Sequence, residues 1–188
     1  MEITLMRHGQ PAITVLRSAG WVKAYEMHAW IAGYDASEVT GQPDKRAKEA
    51  CDDSHFIVSS PLQRACSSLI ALGANPDVIL NDLSEAPLPI INIPWVRLPP
   101  SIWLLLFRLF WFLGLASGAE SKAKAQKRAK HIAQVLIFMS ARHGHICSMG
   151  HGFMNKLISL ELERLGWKQT DCTGAGYWGW IKYVSPSV

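Results

Sequence analysis

The chain has 188 residues, enough for one domain with a substantial core and short for two. Hydrophobic residues make up 49% and charged residues 18%, which excludes intrinsic disorder. The formal charge of +4 suits an anionic ligand, but without an aromatic–basic recognition motif it gives no ground for nucleic acid as a partner.

Four cysteines, Cys51, Cys66, Cys147 and Cys172, form no CxxC pair and no zinc-ligand spacing, so reduced thiols in a cytoplasmic protein are expected. Glu2 and Arg7 interrupt the short apolar opening, and no signal peptide is expected.

Residues 2–6 read as a short buried strand that stops at Arg7-His8-Gly9. Residues 18–34 follow an irregular helical pattern, with Gly33 as its expected stop. The stretch 40–54 is polar, with a turn marked by Gly41 and Pro43. Residues 55–59 give a second strand, and Pro61 fits the first turn of a helix reaching about Leu72. Asp77 to Leu80 form a third strand, leading into a loop that holds Glu85. Five prolines make 87–100 an irregular connection before a very apolar run, Ile102 to Ala116.

A long amphipathic helix is predicted over about 119–141, with Ala125, Ala129, Ile132, Leu136 and Met139 on one face. His145 to Met149 make a fourth strand, broken at Gly150-His151-Gly152, and a helix with an apolar stripe follows. Tyr177 to Val184 have the composition of a last strand. Strands alternating with helices imply an α/β sandwich over a single domain, residues 1–188.

Three features stand at predicted strand ends: Arg7-His8-Gly9, Ser59 to Ala65 (SSPLQRA), and Gly150-His151-Gly152. In open α/β sheets, loops beyond the strand carboxyl ends bind ligands, so these pieces are expected to share one pocket. Two guanidinium groups match phosphate oxygens, and a neutral imidazole can attack phosphorus and hold the phosphoryl group. The helix after His151 offers its amino end to an anion, and glycines beside both histidines are expected to let it approach the backbone. A second Arg-His-Gly copy, Arg142-His143-Gly144, precedes a strand and reads as a loop facing away from the pocket. His28, His55, His131 and His145 lack any such context and read as surface or packed residues.

Together the three pieces resemble the histidine phosphatase superfamily, which includes the cofactor-dependent phosphoglycerate mutases. The resemblance runs from LMRHGQP at residues 5–11 through SSPLQRA at 59–65 to GHG at 150–152. It implies that His8 is the phosphorylated nucleophile and that Arg7, Arg64 and His151 complete the phosphate pocket. It implies Glu85 as the acid–base group, with Asp82 as the competing candidate. It also implies a three-layer α/β/α sandwich with a mostly parallel sheet and a small helical cap at about 87–118. No metal and no cofactor are expected.

Family mutases usually carry an asparagine where this chain has Thr14, and they have further segments after the last strand; both departures point to a phosphatase. Ser67-Ser68 stand where relatives often have a Gln-Thr pair. Gln10, Arg97 and Arg108 are candidate substrate contacts.

As a helix, the run 102–116 spans about 22 Å, short of the roughly 30 Å hydrocarbon core, and Arg108 interrupts it. It is expected to act as a packed lid or homodimer contact, to line a pocket for a greasy substrate, or to lie at the membrane surface. In the last case Lys122, Lys124, Lys127, Arg128 and Lys130 would meet anionic headgroups. The expected function is hydrolysis of a phosphomonoester on a small-molecule or lipid-linked substrate. The rivals are a non-catalytic phospho-ligand or membrane-binding module and a phosphomutase.

Overall fold

The computed structural model describes residues 1–13, 20–115 and 118–186. Thr14, the first two residues of the predicted 18–34 helix and Ala116 lie outside them. Six strands form the central sheet in the order β6 (Val78–Ile79), β5 (Phe56–Ser59), β8 (His145–Gly150), β1 (Glu2–Arg7), β10 (Trp180–Val184) and β9 (Lys168–Cys172). The first four run parallel, whereas β10 and β9 are antiparallel additions at one edge.

The two-residue period of the strands sorts the core into two layers. Ile3, Leu5 and Ile146 face one side, against Ala129, Ile132 and Leu136 of α5 (Lys122–His143) and Ile158 of α6 (Gly152–Arg164). Met6, Cys147 and Met149 face the other, against Ala47 and Cys51 of α2 (Lys45–Asp52) and Leu69 of α3 (Gln63–Leu72). The predicted three-layer α/β/α sandwich with a mostly parallel sheet is the observed architecture.

A third cluster builds the cap. Met27 and Trp30 of α1 (Met27–Asp35) pack with Trp103 and Phe107 of α4 (Pro100–Phe112). The short strands β3 (Val22–Lys23) and β7 (Arg97–Leu98) pair antiparallel and join the two helices at their starts. A further two-residue pair links β2 (Gln10–Pro11) to β4 (Val39–Thr40). No helix among the described residues is long and apolar enough to cross a membrane.

Several sequence expectations change. Val22 and Lys23 are strand, not helix, because they pair with Leu98 and Arg97, and α1 starts only at Met27. Gly33 does not stop α1; a Cβ there would lie 2.9 Å from Ile13 Cδ1, so it is a point of close packing. The polar stretch 40–54 contains α2, capped by Asp44, whose carboxylate accepts from Ala47 N–H at 2.7 Å. Pro61 precedes α3 instead of starting it, in a turn where Ser60 Oγ accepts from Leu62 N–H at 3.3 Å. Strand β9, exposed along its whole length, carries no apolar alternation that could have revealed it.

Leu136 is fully buried between α5 and the sheet, so Leu136→Ala is expected to lower the urea-unfolding free energy by about 2–5 kcal/mol. Leu160→Ala, on the exposed side of α6, should change it by less than about 0.5 kcal/mol.

Candidate active site

The register of the parallel strands builds the site. Arg7 lies opposite Gly150, and Ser59 lies opposite Met149, so the chain leaves β1, β8 and β5 at one level. His8, His151 and Ser60 are the next residues of each, and all three are buried. The His8 and His151 ring centroids stand 5.1 Å apart.

Hydrogen bonds fix the state of His8. Its Nδ1–H donates to the Gly9 carbonyl at 2.7 Å, which leaves the lone pair on Nε2. Arg64 Nε–H donates to that Nε2 at 3.3 Å. Burial, reinforced by the positive Arg64 and Arg7, pushes His8 from its usual 6.5 down to about 3. Burial first, then the charge of Arg64, likewise holds His151 well below the usual imidazole range. His151 Nε2 lies 2.7 Å from Ser60 Oγ. That oxygen already accepts from Leu62 N–H, so its own proton is available to donate to Nε2. His151 then carries its proton on Nδ1, which has no protein partner among the described residues. Both imidazoles are therefore neutral, one offering a lone pair and the other an N–H.

A cavity of about 360 Å³ opens beside them, lined by Arg7, His8, Tyr34, Arg64, Glu85 and Arg108 together with part of α6. Arg7 donates to the Ala175 carbonyl at 2.7 Å and lies 4.5 Å over the Tyr177 ring, while its Nε is buried without a protein partner among the described residues. Arg64 is almost wholly buried and pairs through Nη1 with Asp35 Oδ1 at 2.6 Å. Arg108 donates from Nη2 to the Ala86 carbonyl at 3.2 Å and stacks on Phe153, and its Nη1 is buried without a protein partner among the described residues. Three guanidinium groups against the carboxylates of Asp35 and Glu85 leave the cavity wall positive, a surface suited to an anion.

Glu85 corrects one expectation. The amino end of α6 was expected to receive the ligand, yet the N–H groups of Phe153 and Met154 donate to Glu85 at 3.1 and 3.0 Å. The helix dipole therefore seats this carboxylate inside the cavity wall. Arg128 fixes the preceding loop by donating to the carbonyls of Asp82 and Ser84, while it also pairs with Glu120. Asp82 itself is exposed and does not line the cavity, which places Glu85 and not Asp82 at the site.

The glycines also serve another purpose than expected. A Cβ at Gly9 would lie 2.3 Å from the Trp178 ring, and one at Gly150 would lie 2.5 Å from Asn155 Oδ1. Their lost volume is filled by neighbouring side chains, not held open for a ligand. At Gly152 a Cβ would press on Arg7 Nε at 3.3 Å, so this glycine makes room for the guanidinium.

The structure thus brings together Arg7, His8, Arg64, Glu85, His151 and Arg108. Gln10 sits in β2 and Arg97 in the cap strand β7, and neither lines the cavity. The Arg142-His143-Gly144 copy lies at the opposite end of the sheet, where it ends α5 and is not a free loop; His143 stacks on Phe56 at 4.0 Å. His145 is buried against Thr4 and Asp53, and His28, His55 and His131 are exposed. Sequence reasoning missed Tyr34, Asp35 and Tyr177. The first two end α1 without any motif, and Tyr177, read as strand, lies in the turn before β10. Burial and the proximity of Tyr177 raise the Tyr34 hydroxyl above its ordinary value, so it stays a neutral hydrogen-bonding group.

A proton-linked stability follows from these histidines. Unfolding returns His8 to its usual 6.5, so the unfolded chain binds more protons below that pH, and stability present above pH 6.5 is lost as pH falls toward about 3. In urea titrations across that window, His8→Asn should show a slope shallower by about one proton, near 1.4 kcal/mol per pH unit. An unchanged slope would contradict the neutral assignment.

No protein-family model matches the chain, and no curated protein matches it in sequence. Solved structures do match. A mycobacterial glucosyl-3-phosphoglycerate phosphatase superimposes with a TM-score of 0.59 at 20% identity, covering 96% of this chain and 90% of that one. A phosphoserine phosphatase from Entamoeba histolytica gives 0.54 at 19% identity, over 87% of this chain and 80% of that one. The product of an open reading frame of Mycobacterium tuberculosis gives 0.56 at 15% identity, over 87% and 79%. The chain shares the fold of these proteins, the histidine phosphatase fold that its three motifs resemble.

Proposed function

We propose that this protein is a member of the histidine phosphatase superfamily and hydrolyses a phosphomonoester through phosphohistidine on His8. The observation that carries the proposal is the neutral His8 ring, its Nε2 lone pair held among guanidinium groups in a cavity that also contains a carboxylate. Arg7, Arg64 and the Nδ1–H of His151 bind the phosphoryl oxygens, and Arg64 exchanges its bond to Nε2 for one to the substrate. Nε2 then attacks phosphorus as the phosphorus–oxygen ester bond breaks.

Glu85 gives its proton to the leaving oxygen. Its Oε2 accepts one backbone N–H and retains a lone-pair position for that proton, whereas Oε1 accepts two. In the second step Glu85 takes a proton from water, the water oxygen attacks phosphorus, the phosphorus–nitrogen bond breaks, and neutral His8 returns with free phosphate.

The leaving group extends into an adjoining chamber of about 500 Å³, which shares Tyr34, Arg64, Glu85 and Arg108 with the phosphate cavity. Ile31, Leu62, Leu88, Ile90 and Leu104 contribute to its wall, which supports a partly apolar alcohol. The named phosphatases of the same fold support the reaction class.

In an assay over a broad phosphoester panel, His8→Ala should abolish turnover. Glu85→Gln should lower kcat by about 10²–10⁴-fold while vanadate still binds. A wild type that binds vanadate yet is inert on every ester would make the protein a non-catalytic phospho-ligand module.

A further inference from the structure

Helix α4 has two apolar faces, and only one of them is buried. Trp103, Phe107 and Trp111, spaced four residues apart, fill the inner side. On the outer side Ile102, Leu105, Leu109, Phe112 and Leu113 form a second stripe, with Leu105 66% and Leu113 68% exposed. Two further large side chains stand beside the strands that lead into this helix, Trp21 before β3 and Trp95 before β7, the latter 92% exposed. A helix with this outer face gains by leaving water.

Charge identifies what covers it. From residue 86 to residue 160 the chain has nine lysines and arginines and one acid, Glu120. Lys122, Lys124, Lys127 and Lys130 are exposed on the first turns of α5, and Lys122 Nζ stands 5.5 Å over the Phe112 ring at the edge of the stripe. The Trp111 indole N–H donates to the Glu120 carbonyl at 2.6 Å and ties this basic end of α5 to the end of α4. A second copy of the chain would bring the same cations to the rim of the contact, against like charge. A surface of anionic headgroups over acyl chains meets both the apolar stripe and the basic rim.

We propose that α4 docks the protein on anionic lipid bilayers, lying in the interface with Ile102, Leu105, Leu109, Phe112 and Leu113 inserted and the lysines of α5 on the headgroups. Arg108 faces inward over Phe153, so the helix lies flat and keeps its one charge toward the cavity. The docking does not depend on the reaction at His8.

Flotation of the full chain with phosphatidylcholine vesicles, with and without about one third phosphatidylglycerol, tests the proposal. The wild type should float with the anionic vesicles, at least about tenfold more than with neutral ones, and less at high salt. Leu105→Glu combined with Leu109→Glu should abolish flotation while the thermal unfolding midpoint is retained. Lys122→Glu, Lys124→Glu and Lys127→Glu together should remove the preference for anionic lipid. A wild type that floats with neither vesicle, or a leucine double variant that floats unchanged, would overturn the proposal. So would a light-scattering mass of two copies that reverts to one in the double variant, with no flotation of the dimer.

Discussion

The register of three parallel strands is the constraint on which the rest of the molecule depends. Arg7 opposite Gly150, and Ser59 opposite Met149, bring three chain reversals to a common edge of the sheet. Each reversal then needs only one further residue to deliver His8, His151 or Ser60. A slip of one position in any strand would turn its side chains to the other face, exchanging the layers that pack on α5 and α2. The hydrophobic layers that stabilise the fold therefore also set the spacing of the polar groups. Stability and site geometry have one origin.

Within that frame the electrostatics are asymmetric. Guanidinium groups stay charged in a dry setting, whereas imidazoles nearby give up their protons. The same setting thus combines positive charge at Arg7, Arg64 and Arg108 with an unprotonated nitrogen at His8. Asp35 offsets part of the charge on Arg64, and the amino end of α6 holds Glu85. The cap supplies Tyr34 and Arg108 to the cavity wall and, through Asp35, a partner for Arg64, so the cavity is completed only when cap and sheet are together.

The sheet and the pocket were legible because β1, β5 and β8 are short apolar runs that end in polar motifs. Four of the residues that meet there, Arg7, His8, Arg64 and His151, could be named from those endings. Glu85 was reachable only through its place in a loop, and the structure supplies the reason for that place, two backbone N–H groups of α6. Asp35 and Tyr177 were invisible, because their roles arise from contacts across distant parts of the chain and not from local spacing. The failures at Val22 and at β9 share a cause: isolated short strands gain their identity from a partner, and a sequence window does not contain the partner. The roles expected for the glycines failed differently. A small residue signals that space is needed, but not which neighbour will use it.

Trp178 shows how far such a neighbour can be. Its indole occupies the place that any side chain at position 9 would need, and the Trp178 backbone N–H donates to the His8 carbonyl at 3.4 Å. The segment between β9 and β10 thus moulds the turn that follows the first strand. A change in the segment before β10 would therefore reshape the turn that holds the His8 imidazole.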